Sequence, residues 1–170
     1  MTRLRSATGR QDLELIHRLA HRIWGPTYKD YLDPLQIETM LADMYSVEAL
    51  GRQLASGITF TIWEMDGLPA GFVGFGKRPF LMSENEPTPV MRIEKLYILP
   101  AAQGFGGGRL LVQHVEATAL SQGIITIELN VNRHNPAHLF YRRQGFIIVQ
   151  EVDIPYGNFL LNDYIMQKEL

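Results

Sequence analysis

The 170-residue sequence contains no cysteine and no long apolar run. Without cysteine there is no disulfide framework, which fits a reducing compartment. No segment approaches the roughly 18 consecutive apolar residues that a membrane-spanning helix requires. The N-terminal stretch also lacks the uninterrupted apolar region of a secretory signal. We therefore expect a cytoplasmic protein with no membrane partner.

Neither sign of charge predominates. The chain has 16 Lys and Arg against 18 Asp and Glu, a formal net charge of -2. The basic residues are spread along the chain without interleaved aromatic residues, so we expect no nucleic acid partner. Apolar residues make up 46% of the sequence, as in ordinary globular proteins. The length predicts a single domain spanning residues 1–170.

The N-terminal part of the chain shows the apolar spacing of helices after one short strand. Thr8 and Gln11 stand at the spacing of a capping box, which predicts the start of the first helix, and Pro26 predicts its end. Asp33 and Ser46 are the predicted N-caps of two further helices.

From residue 58 the apolar period becomes that of strands. Asp66-Gly67 is a predicted two-residue hairpin turn. Residues 78–90, which contain three prolines, are predicted to form a loop. A strand over 91–99, a helix from about Arg109 to Gln122, and a further strand, helix and two final strands follow. The pattern predicts a mixed α/β domain.

The stretch QGFGGGR at residues 103–109 places four glycines between a predicted strand and a predicted helix. Backbone amides at a helix N-terminus form an anion site suited to phosphate or pyrophosphate. Glycine leaves these amides uncovered and adopts positive φ without strain. The alternative is a turn that merely tolerates unusual dihedral angles. Four glycines favour ligand binding.

Two common nucleotide motifs do not fit the chain. The dinucleotide fingerprint requires a third glycine where Arg109 stands, and the chain has one strand–loop–helix–strand unit flanked by a hairpin. The stretch GFVGFGK at residues 71–77 resembles the start of a phosphate-binding loop. Arg78 and Pro79 follow it, however, where Ser or Thr and a helix are needed. A strand accounts for that stretch better.

Two stretches together resemble the GCN5-related N-acetyltransferase family. QGFGGGR matches the pattern [Q/R]-x-x-G-x-[G/A], with Gln103, Gly106 and Gly108 in register. LNVNRHNPAHLFYRRQGF, at residues 129–146, is similar to a second signature that ends in F-Y-x-x-x-G-F. The order of elements also fits, so the resemblance covers nearly the whole chain. It implies an α/β (α+β) fold with a mixed, mostly antiparallel twisted sheet of about seven strands flanked by about four helices.

The resemblance implies acetyl-CoA as co-substrate and names the residues that bind it. The strand before the loop would hydrogen-bond the pantetheine arm through the backbone of Leu96, Tyr97 and Ile98. The loop amides would hold the pyrophosphate, and the residues concerned are Gln103, Gly104, Phe105, Gly106, Gly107, Gly108 and Arg109.

The second signature supplies further candidates. Tyr141 corresponds to the residue expected to protonate the departing CoA thiolate, and a phenol with a pKa of about 10 suits that role. The alternative is an aromatic ring that packs beside Phe140 and Phe146. Asn135 is a candidate for acetyl-CoA binding and also a candidate N-cap of its helix. Arg143 or Arg142 would contact the CoA 3′-phosphate, or would face solvent.

The acceptor implied by the resemblance is an amine. A primary amine has a pKa near 10 and must lose a proton before it attacks, so a base or a water relay is needed. Glu94, which precedes the pantetheine-binding residues, is the best carboxylate candidate. The alternative is a strand residue paired with Lys95 or Arg92.

Other catalytic chemistries have little support. His17 and His21 are four residues apart, as are His134 and His138, but neither pair has the intervening Glu of a zinc helix. We expect no metal. The chain has no G-x-S-x-G motif, so a hydrolase triad has no nucleophile.

The prediction of which amine is the acceptor depends on the charge of the residues near the acceptor site. Five acids lie in the segment that walls the acceptor site in the family, with only Lys29 opposing them: Asp30, Asp33, Glu38, Asp43 and Glu48. Acids would attract a small-molecule cationic amine. The overall pattern, including YKDYLDP at residues 28–34 and DYIMQKEL at residues 163–170, resembles PaiA-type enzymes that acetylate spermidine and spermine. Alternatives are solvated helix faces, protein or peptide amines, other cationic metabolites and an acyl-CoA-binding regulator that does not catalyse. The family also suggests a homodimer through the apolar last strand.

Overall fold

The computed structural model of the chain describes residues 1–79 and 88–170. Two compact units are present. Unit 1 comprises Met1–Gly74 and Lys95–Leu111, and unit 2 comprises Phe75–Glu94 and Val112–Leu170. Within the described ranges no helix is long and apolar enough to cross a membrane.

The described residues form seven strands and five α-helices, where about seven and about four were predicted. The strands are β1 (Thr2–Ala7), β2 (Thr59–Met65), β3 (Leu68–Pro79), β4 (Pro89–Ile98), β5 (Thr126–Asn132), β6 (Ile147–Tyr156) and β7 (Phe159–Glu169). The helices are α1 (Arg10–Tyr28), α2 (Pro34–Tyr45), α3 (Val47–Ala55), α4 (Gly107–Ser121) and α5 (Ala137–Arg143), and a short 3₁₀ turn covers Pro100–Ala102.

The strands form one sheet in the order β1-β2-β3-β4-β5-β7-β6. The β4–β5 pair is parallel, whereas the β1–β2, β5–β7 and β6–β7 pairs are antiparallel. The mixed α/β fold with a mostly antiparallel seven-stranded sheet is therefore confirmed. In unit 1, α1 packs against α2 and α3 through buried residues that include Ile16 and Ile23.

The start of α1 differs from the prediction. Gly9 is the N-cap, and the carboxylate of Asp12 accepts hydrogen bonds from the backbone N–H groups of Thr8 and Gly9, at 3.0 and 3.5 Å. Arg5 holds the same carboxylate at 2.6 Å. The capping box assigned to Thr8 and Gln11 is wrong, because an anchored carboxylate one residue later is the stronger acceptor.

The predicted end of α1 is also wrong. The helix continues through Pro26 to Tyr28, and the backbone N–H of Lys29 still donates to the carbonyl oxygen of Gly25 at 3.0 Å. A proline removes a single N–H from the helix. Near the C-terminal end that loss is offset because the last residue, Tyr28, is buried.

The predicted caps of α2 and α3 are confirmed. The Asp33 side chain accepts a hydrogen bond from the N–H of Leu35 at 2.8 Å, and the Ser46 hydroxyl accepts one from the N–H of Ala49 at 3.2 Å. The local sequence determines these helix starts because a short polar side chain satisfies an otherwise unpaired amide.

The hairpin between β2 and β3 is confirmed, since Asp66 and Gly67 have φ values of 52° and 80°, as a two-residue turn requires. The loop predicted for residues 78–90 is wrong at both ends, because β3 extends to Pro79 and β4 begins at Pro89. Proline is tolerated at strand ends, where one N–H is dispensable. Residues 80–87 of that prediction lie outside the described residues.

Candidate active site

The segment predicted to bind pantetheine is the end of β4. Leu96, Tyr97 and Ile98 are its last three residues, all half-buried in unit 1. The register of β4 with β5 extends only from Met91–Ile127 to Ile93–Leu129. The end of β4 therefore continues beyond its last register pair with β5.

Strand β3 approaches the end of β4 closely in unit 1. A Cβ added at Gly71 would lie 2.5 Å from Cδ1 of Ile98 and 2.7 Å from the carbonyl oxygen of Tyr97. The N–H of Leu99 donates to the carbonyl oxygen of Ala70 at 2.8 Å. These contacts fix the position at which the chain leaves the sheet for the glycine loop.

The glycine loop, residues 103–106, is exposed along its whole length. Gly104 and Gly106 have φ values of 86° and 85°, a conformation that other residues rarely adopt. The carbonyl oxygen of Gly106 accepts the first hydrogen bond of α4, from the N–H of Leu110 at 3.1 Å. Helix α4 therefore begins at Gly107, two residues before the predicted start at Arg109.

Gly107 serves a different purpose from the two glycines before it. A Cβ at Gly107 would lie under 3.0 Å from three carbon atoms of the Trp63 ring, closer than real Cβ contacts. The loop sequence therefore contains glycines of two kinds. Gly104 and Gly106 permit the backbone conformation, and Gly107 permits the close approach of α4 to β2.

The loop has the properties of an anion site. Among the residues that the structure describes, the backbone N–H groups from Gly104 to Arg109 have no hydrogen-bond acceptor. They lead into the positive end of a 15-residue helix, and the side chain of Arg109 is exposed on its first turn. Exposed donors and one cation fit a pyrophosphate, so the residues present suit CoA at this position.

An aromatic cluster that the sequence analysis missed lies beside the end of β4 in unit 1. The hydroxyl groups of Tyr97 and Tyr28 share a hydrogen bond of 2.8 Å. The Tyr97 ring also lies 5.9 Å from the ring of Trp24 and 5.9 Å from that of Phe72, measured between centroids. The only sequence signal was the helical spacing of Trp24 and Tyr28, which predicts core packing alone.

Lys95 is also missed by the sequence pattern. Its side chain is 8% exposed, and Nζ lies 4.6 Å from the centroid of the Tyr45 ring. A cation over an aromatic face is stabilised by the ring quadrupole. Lys95, one of the two partners predicted for Glu94, thus makes a buried cation–π contact in unit 1.

Tyr141 lies in α5, in unit 2, and is 7% exposed. Its ring packs against Phe140 and Phe146, with centroid distances of 5.1 and 5.7 Å. Burial raises the pKa of the Tyr141 phenol above its ordinary value, so the group keeps its proton across the physiological range. The packed-aromatic interpretation is confirmed, and a protonated hydroxyl is what a general acid requires.

The other residues of the second signature also lie in unit 2. Asn135 is buried, and its Oδ1 accepts a hydrogen bond from the N–H of Ala137 at 2.9 Å, at the entry to α5. The N-cap of α5 is Pro136, so the N-cap position predicted for Asn135 is wrong by one residue, although its side chain does accept from the first N–H of the helix. Arg142 and Arg143 are exposed in the last turn of α5. Their predicted contact with the CoA 3′-phosphate stays a prediction.

Glu94 lies on the unit 2 part of β4. One carboxylate oxygen is 3.1 Å from Nε of Arg78 and the other is 3.5 Å from Nε of Arg92. The alternative interpretation, a strand carboxylate paired with Arg92, is therefore present in the structure. The role of Glu94 as base stays a prediction, and both of its oxygens already contact a guanidinium group.

Arg92 joins Glu94 to a polar network on one face of unit 2. Arg92 donates to Glu128 at 2.7 Å and to Asn130 at 2.8 Å, and Asn130 donates to Asp163 at 3.3 Å. Burial raises the pKa of Asp163, against the opposing effects of Asn130 and of nearby arginines. The alternation of polar and apolar residues along β5 indicates that the strand has one polar face. It does not identify the residues of β4 and β7 that contact this face, because they are distant in sequence.

The histidine pairs have other contacts. Nδ1 of His17 lies 2.7 Å from the carbonyl oxygen of Tyr45, and Nδ1 of His21 lies 2.9 Å from that of His17. His138 packs against Tyr164 at 5.7 Å. Across the described ranges no three His, Cys, Asp or Glu residues are arranged to hold a metal ion.

The predicted site residues thus form two groups. The end of β4 and the glycine loop are continuous in unit 1, whereas Glu94, Asn135, Tyr141 and the two arginines of α5 belong to unit 2. The first group presents backbone donors for a phosphorylated ligand. The second presents a buried, protonated phenol.

The fold and the glycine loop define an acetyltransferase-like domain, and comparison with known families agrees. The profile of the acetyltransferase (GNAT) family matches residues 13–146. The chain belongs to this family.

Similar sequences are found in mycobacteria. An uncharacterised N-acetyltransferase of Mycobacterium tuberculosis (strain ATCC 25618 / H37Rv) is 37% identical over 81 residues, which cover 47% of this chain and 52% of that protein. The chain thus spans about half the length of the curated relatives it matches.

Solved structures share the fold over the full chain. The PaiA N-acetyltransferase of Thermoplasma acidophilum in complex with coenzyme A has a TM-score of 0.80 at 23% identity, over 100% of this chain and 99% of that one. Naa50 of Arabidopsis thaliana, in complex with the bisubstrate analogue CoA-Ac-MVNAL, has a TM-score of 0.69 at 19% identity and 99% coverage of both chains. The ribosomal-protein-S18-alanine N-acetyltransferase of Escherichia coli has a TM-score of 0.70 at 17% identity, over 99% of this chain and 94% of that one.

Proposed function

We propose that the chain is an acetyl-CoA-dependent N-acetyltransferase that transfers an acetyl group directly to a primary amine. The observation that carries the proposal is the exposed glycine loop at residues 103–106, whose amides lead into the N-terminus of α4. Membership of the acetyltransferase (GNAT) family supports this assignment. Backbone donors at a helix N-terminus bind phosphate oxygens without the desolvation cost of a buried cation.

The end of β4 holds the pantetheine arm in this proposal. That arm contains two amide groups, which pair with backbone N–H and C=O groups as a neighbouring strand does. In this proposal the backbone of Leu96, Tyr97 and Ile98 makes these contacts, beyond Ile93, where the register of β4 with β5 ends. The loop then receives the pyrophosphate, and Arg109 adds one positive charge on its first helical turn.

The transfer requires two proton movements. The amine loses its proton to a base, either Glu94 or a water relay, and its lone pair then attacks the acetyl carbonyl carbon. The C–S bond breaks as the C–N bond forms, and the leaving thiolate takes a proton. Tyr141 supplies that proton in our proposal, because burial keeps its phenol protonated.

A small cationic amine such as a polyamine is the acceptor that we propose. Asp30 lies just before α2 and Glu38 lies on it, and both are exposed, so their charge can attract a diffusing cation. Asp43 is exposed on the same helix. Asp33 and Glu48 have local roles as well, since Asp33 caps α2 and Glu48 lies in the first turn of α3. The structural similarity to the PaiA N-acetyltransferase supports this choice at the level of the fold.

A peptide amine is the second candidate. Two of the similar structures bear names that refer to such substrates, a ribosomal protein alanine and a bisubstrate analogue with the sequence MVNAL. Tyr97 favours this candidate, because its ring is half-buried at the end of β4 and offers an aromatic surface to a peptide side chain.

The test is thiol release from acetyl-CoA, followed with spermidine, spermine and peptides that carry a free α-amine or a lysine. Calorimetry with acetyl-CoA alone measures binding separately from turnover. We expect binding, and release that is faster with polyamines than with peptides. Faster release with peptides would overturn the polyamine assignment and leave the acetyltransferase assignment standing.

Two further outcomes concern the proposal as a whole. Binding of acetyl-CoA without turnover of any amine would favour a non-catalytic acyl-CoA-binding regulator. Absence of acetyl-CoA binding would contradict the assignment of the glycine loop, and with it the proposed function.

A further inference from the structure

Phe105 occupies an unusual position in the glycine loop. Its side chain is 68% exposed, and it stands between Gly104 and Gly106, both of which have positive φ. A Cβ added to either glycine would meet no atom within 4 Å, so the space on both sides of Phe105 is open. The loop therefore presents one large apolar ring on an otherwise bare backbone.

The exposure of Phe105 is not explained by the core. No other phenylalanine in the part of the chain that the structure describes is exposed, and Phe60, Phe72 and Phe75 are fully buried. Single exposed aliphatic residues are common on protein surfaces. An exposed aromatic ring inside a ligand-binding loop is a different case, because the ligand can cover it.

The chemistry of CoA places a second flat ring close to Phe105. The adenosine of CoA is linked through its 5′ oxygen to the pyrophosphate that we assign to the loop amides. In CoA, only the ribose separates the adenine base from this pyrophosphate. Phosphates bound by the loop amides would therefore bring the base close to Phe105. Adenine has two π faces, and aromatic side chains stack on the faces of nucleic acid bases whatever the identity of the base.

We propose that the side chain of Phe105 is a stacking platform for the adenine ring of CoA. Phe105 thereby selects the full nucleotide over shorter pantetheine thioesters. This inference rests on the proposed function and extends it, because it assigns a role to the Phe105 side chain in addition to its backbone N–H. The loop of amides holds the phosphates, and the ring holds the base.

The experiment compares two co-substrates in three proteins. Acetyl-CoA and S-acetyl-4′-phosphopantetheine, which lacks the 3′-phospho-AMP portion and so keeps one phosphate but no adenine, are titrated into the wild type, Phe105→Ala and Phe105→Trp. We expect Phe105→Ala to weaken acetyl-CoA binding about 10-fold and to leave binding of the short thioester unchanged. Phe105→Trp preserves the stacking face and should restore tight binding of acetyl-CoA.

Leu68→Ala is the matched control, because Leu68 is equally exposed in unit 1 and lies outside the loop. It should change neither affinity. Thermal unfolding of each variant checks that the fold is intact.

Three results would overturn the inference. One is that Phe105→Ala weakens the binding of both co-substrates equally, which would mean that the substitution disturbs the loop backbone. Another is unchanged affinity of Phe105→Ala for acetyl-CoA while the wild type binds it, which would leave the proposed function standing. The third is absence of binding in the wild type itself, which would remove the proposed function as well.

Discussion

Gly107 and the indole ring of Trp63 are in direct apposition. Helix α4 begins at Gly107, and an added Cβ would lie under 3.0 Å from three ring carbons. The Trp63 side chain is fully buried, and its Nε1 donates to the hydroxyl of Thr2 at 2.5 Å. Because the ring is buried and hydrogen-bonded, we expect it to resist displacement by a larger residue at position 107.

We therefore expect Gly107→Ala to destabilise the protein. Overpacking of this kind costs about 1–3 kcal/mol, which exceeds the gain of about 1 kcal/mol from replacing glycine in a helix. Urea denaturation measures the change. The loop that precedes the clash should also bind acetyl-CoA less tightly.

Gly51→Ala is the matched control for that variant. Gly51 lies within α3, where a Cβ would meet Cδ1 of Leu13 at 3.9 Å, an ordinary van der Waals contact. This substitution should stabilise the protein by about 0.5–1 kcal/mol. Equal unfolding midpoints for the two variants would show that the Trp63 ring yields, contrary to our expectation.

Removal of the Tyr141 hydroxyl should impair catalysis without impairing the fold. Tyr141→Phe keeps the ring contacts with Phe140 and Phe146 and removes the proposed proton donor. We expect kcat to fall by about 10²–10⁴-fold and the dissociation constant of acetyl-CoA to stay within about twofold. Steady-state kinetics and calorimetry provide the two values.

The pH dependence follows from burial. The acid must be protonated, and burial raises the pKa of Tyr141, so its ionisation should not reduce kcat below pH about 10. Tyr164→Phe, which removes a hydroxyl from β7 of the same unit, serves as the control. A similar loss of kcat in both variants would argue against a specific role for Tyr141.

Two variants distinguish the role of the Glu94 carboxylate as a base from its role as an ion-pair partner. If Glu94 accepts the proton of the amine, Glu94→Gln should lower kcat by about 10²–10⁴-fold. Arg78→Met breaks one of the two ion pairs of Glu94 but keeps the carboxylate, and should lower kcat far less. The measurement is kcat as a function of pH for both variants, compared on the acidic side of the profile. Similar kcat values for both would mean that the ion pair matters and that the base is elsewhere.

The pairing of Arg5 with Asp12 predicts a pH-dependent stability. The hydrogen bond from Arg5 lowers the pKa of Asp12 from its ordinary value of 3.8. A lowered carboxyl pKa contributes stability that is present above 3.8 and lost as the pH falls through the folded-state value. Arg5→Met should therefore cost at most about 1 kcal/mol at pH 7, and the difference from wild type should shrink below pH about 4.

Arg10→Met provides the comparison. Arg10 pairs with Glu14 on an exposed helix surface, with side-chain exposures of 74% and 40%, and such pairs contribute little. Its denaturation curve should stay within about 0.5 kcal/mol of wild type at both pH values. If the deficit of Arg5→Met persisted unchanged in acid, the contribution of Asp12 would be excluded as its cause.

Features controlled by adjacent residues were predictable from the sequence. The turn at Asp66-Gly67 and the caps at Asp33 and Ser46 depend on one or two residues whose chemistry permits few alternatives. The same holds for the positive φ of Gly104 and Gly106 in the loop.

Features controlled by distant residues were not predictable. The start of α1 depends on Arg5, which orients Asp12, and the end of α1 depends on the burial of Tyr28 beyond a proline. Similarly, the sequence shows that Gly107 is a glycine but not that Trp63 requires it. Periodicity reports which face of an element is apolar, and says nothing about the partner that covers it.

The pairing of β1 with β2 has a consequence for the order of folding. It joins residues 2–7 to residues 60–65 and encloses α1, α2 and α3. Local helices form within about a microsecond, whereas pairing across so long a segment must first overcome loop-closure entropy. We therefore expect β1, which lies at the end of the sheet with one neighbour, to join after the helices have formed and to detach first. Its amide protons should exchange with solvent ahead of those of β2, so the first strand in the chain should gain protection later than the strand that it pairs with.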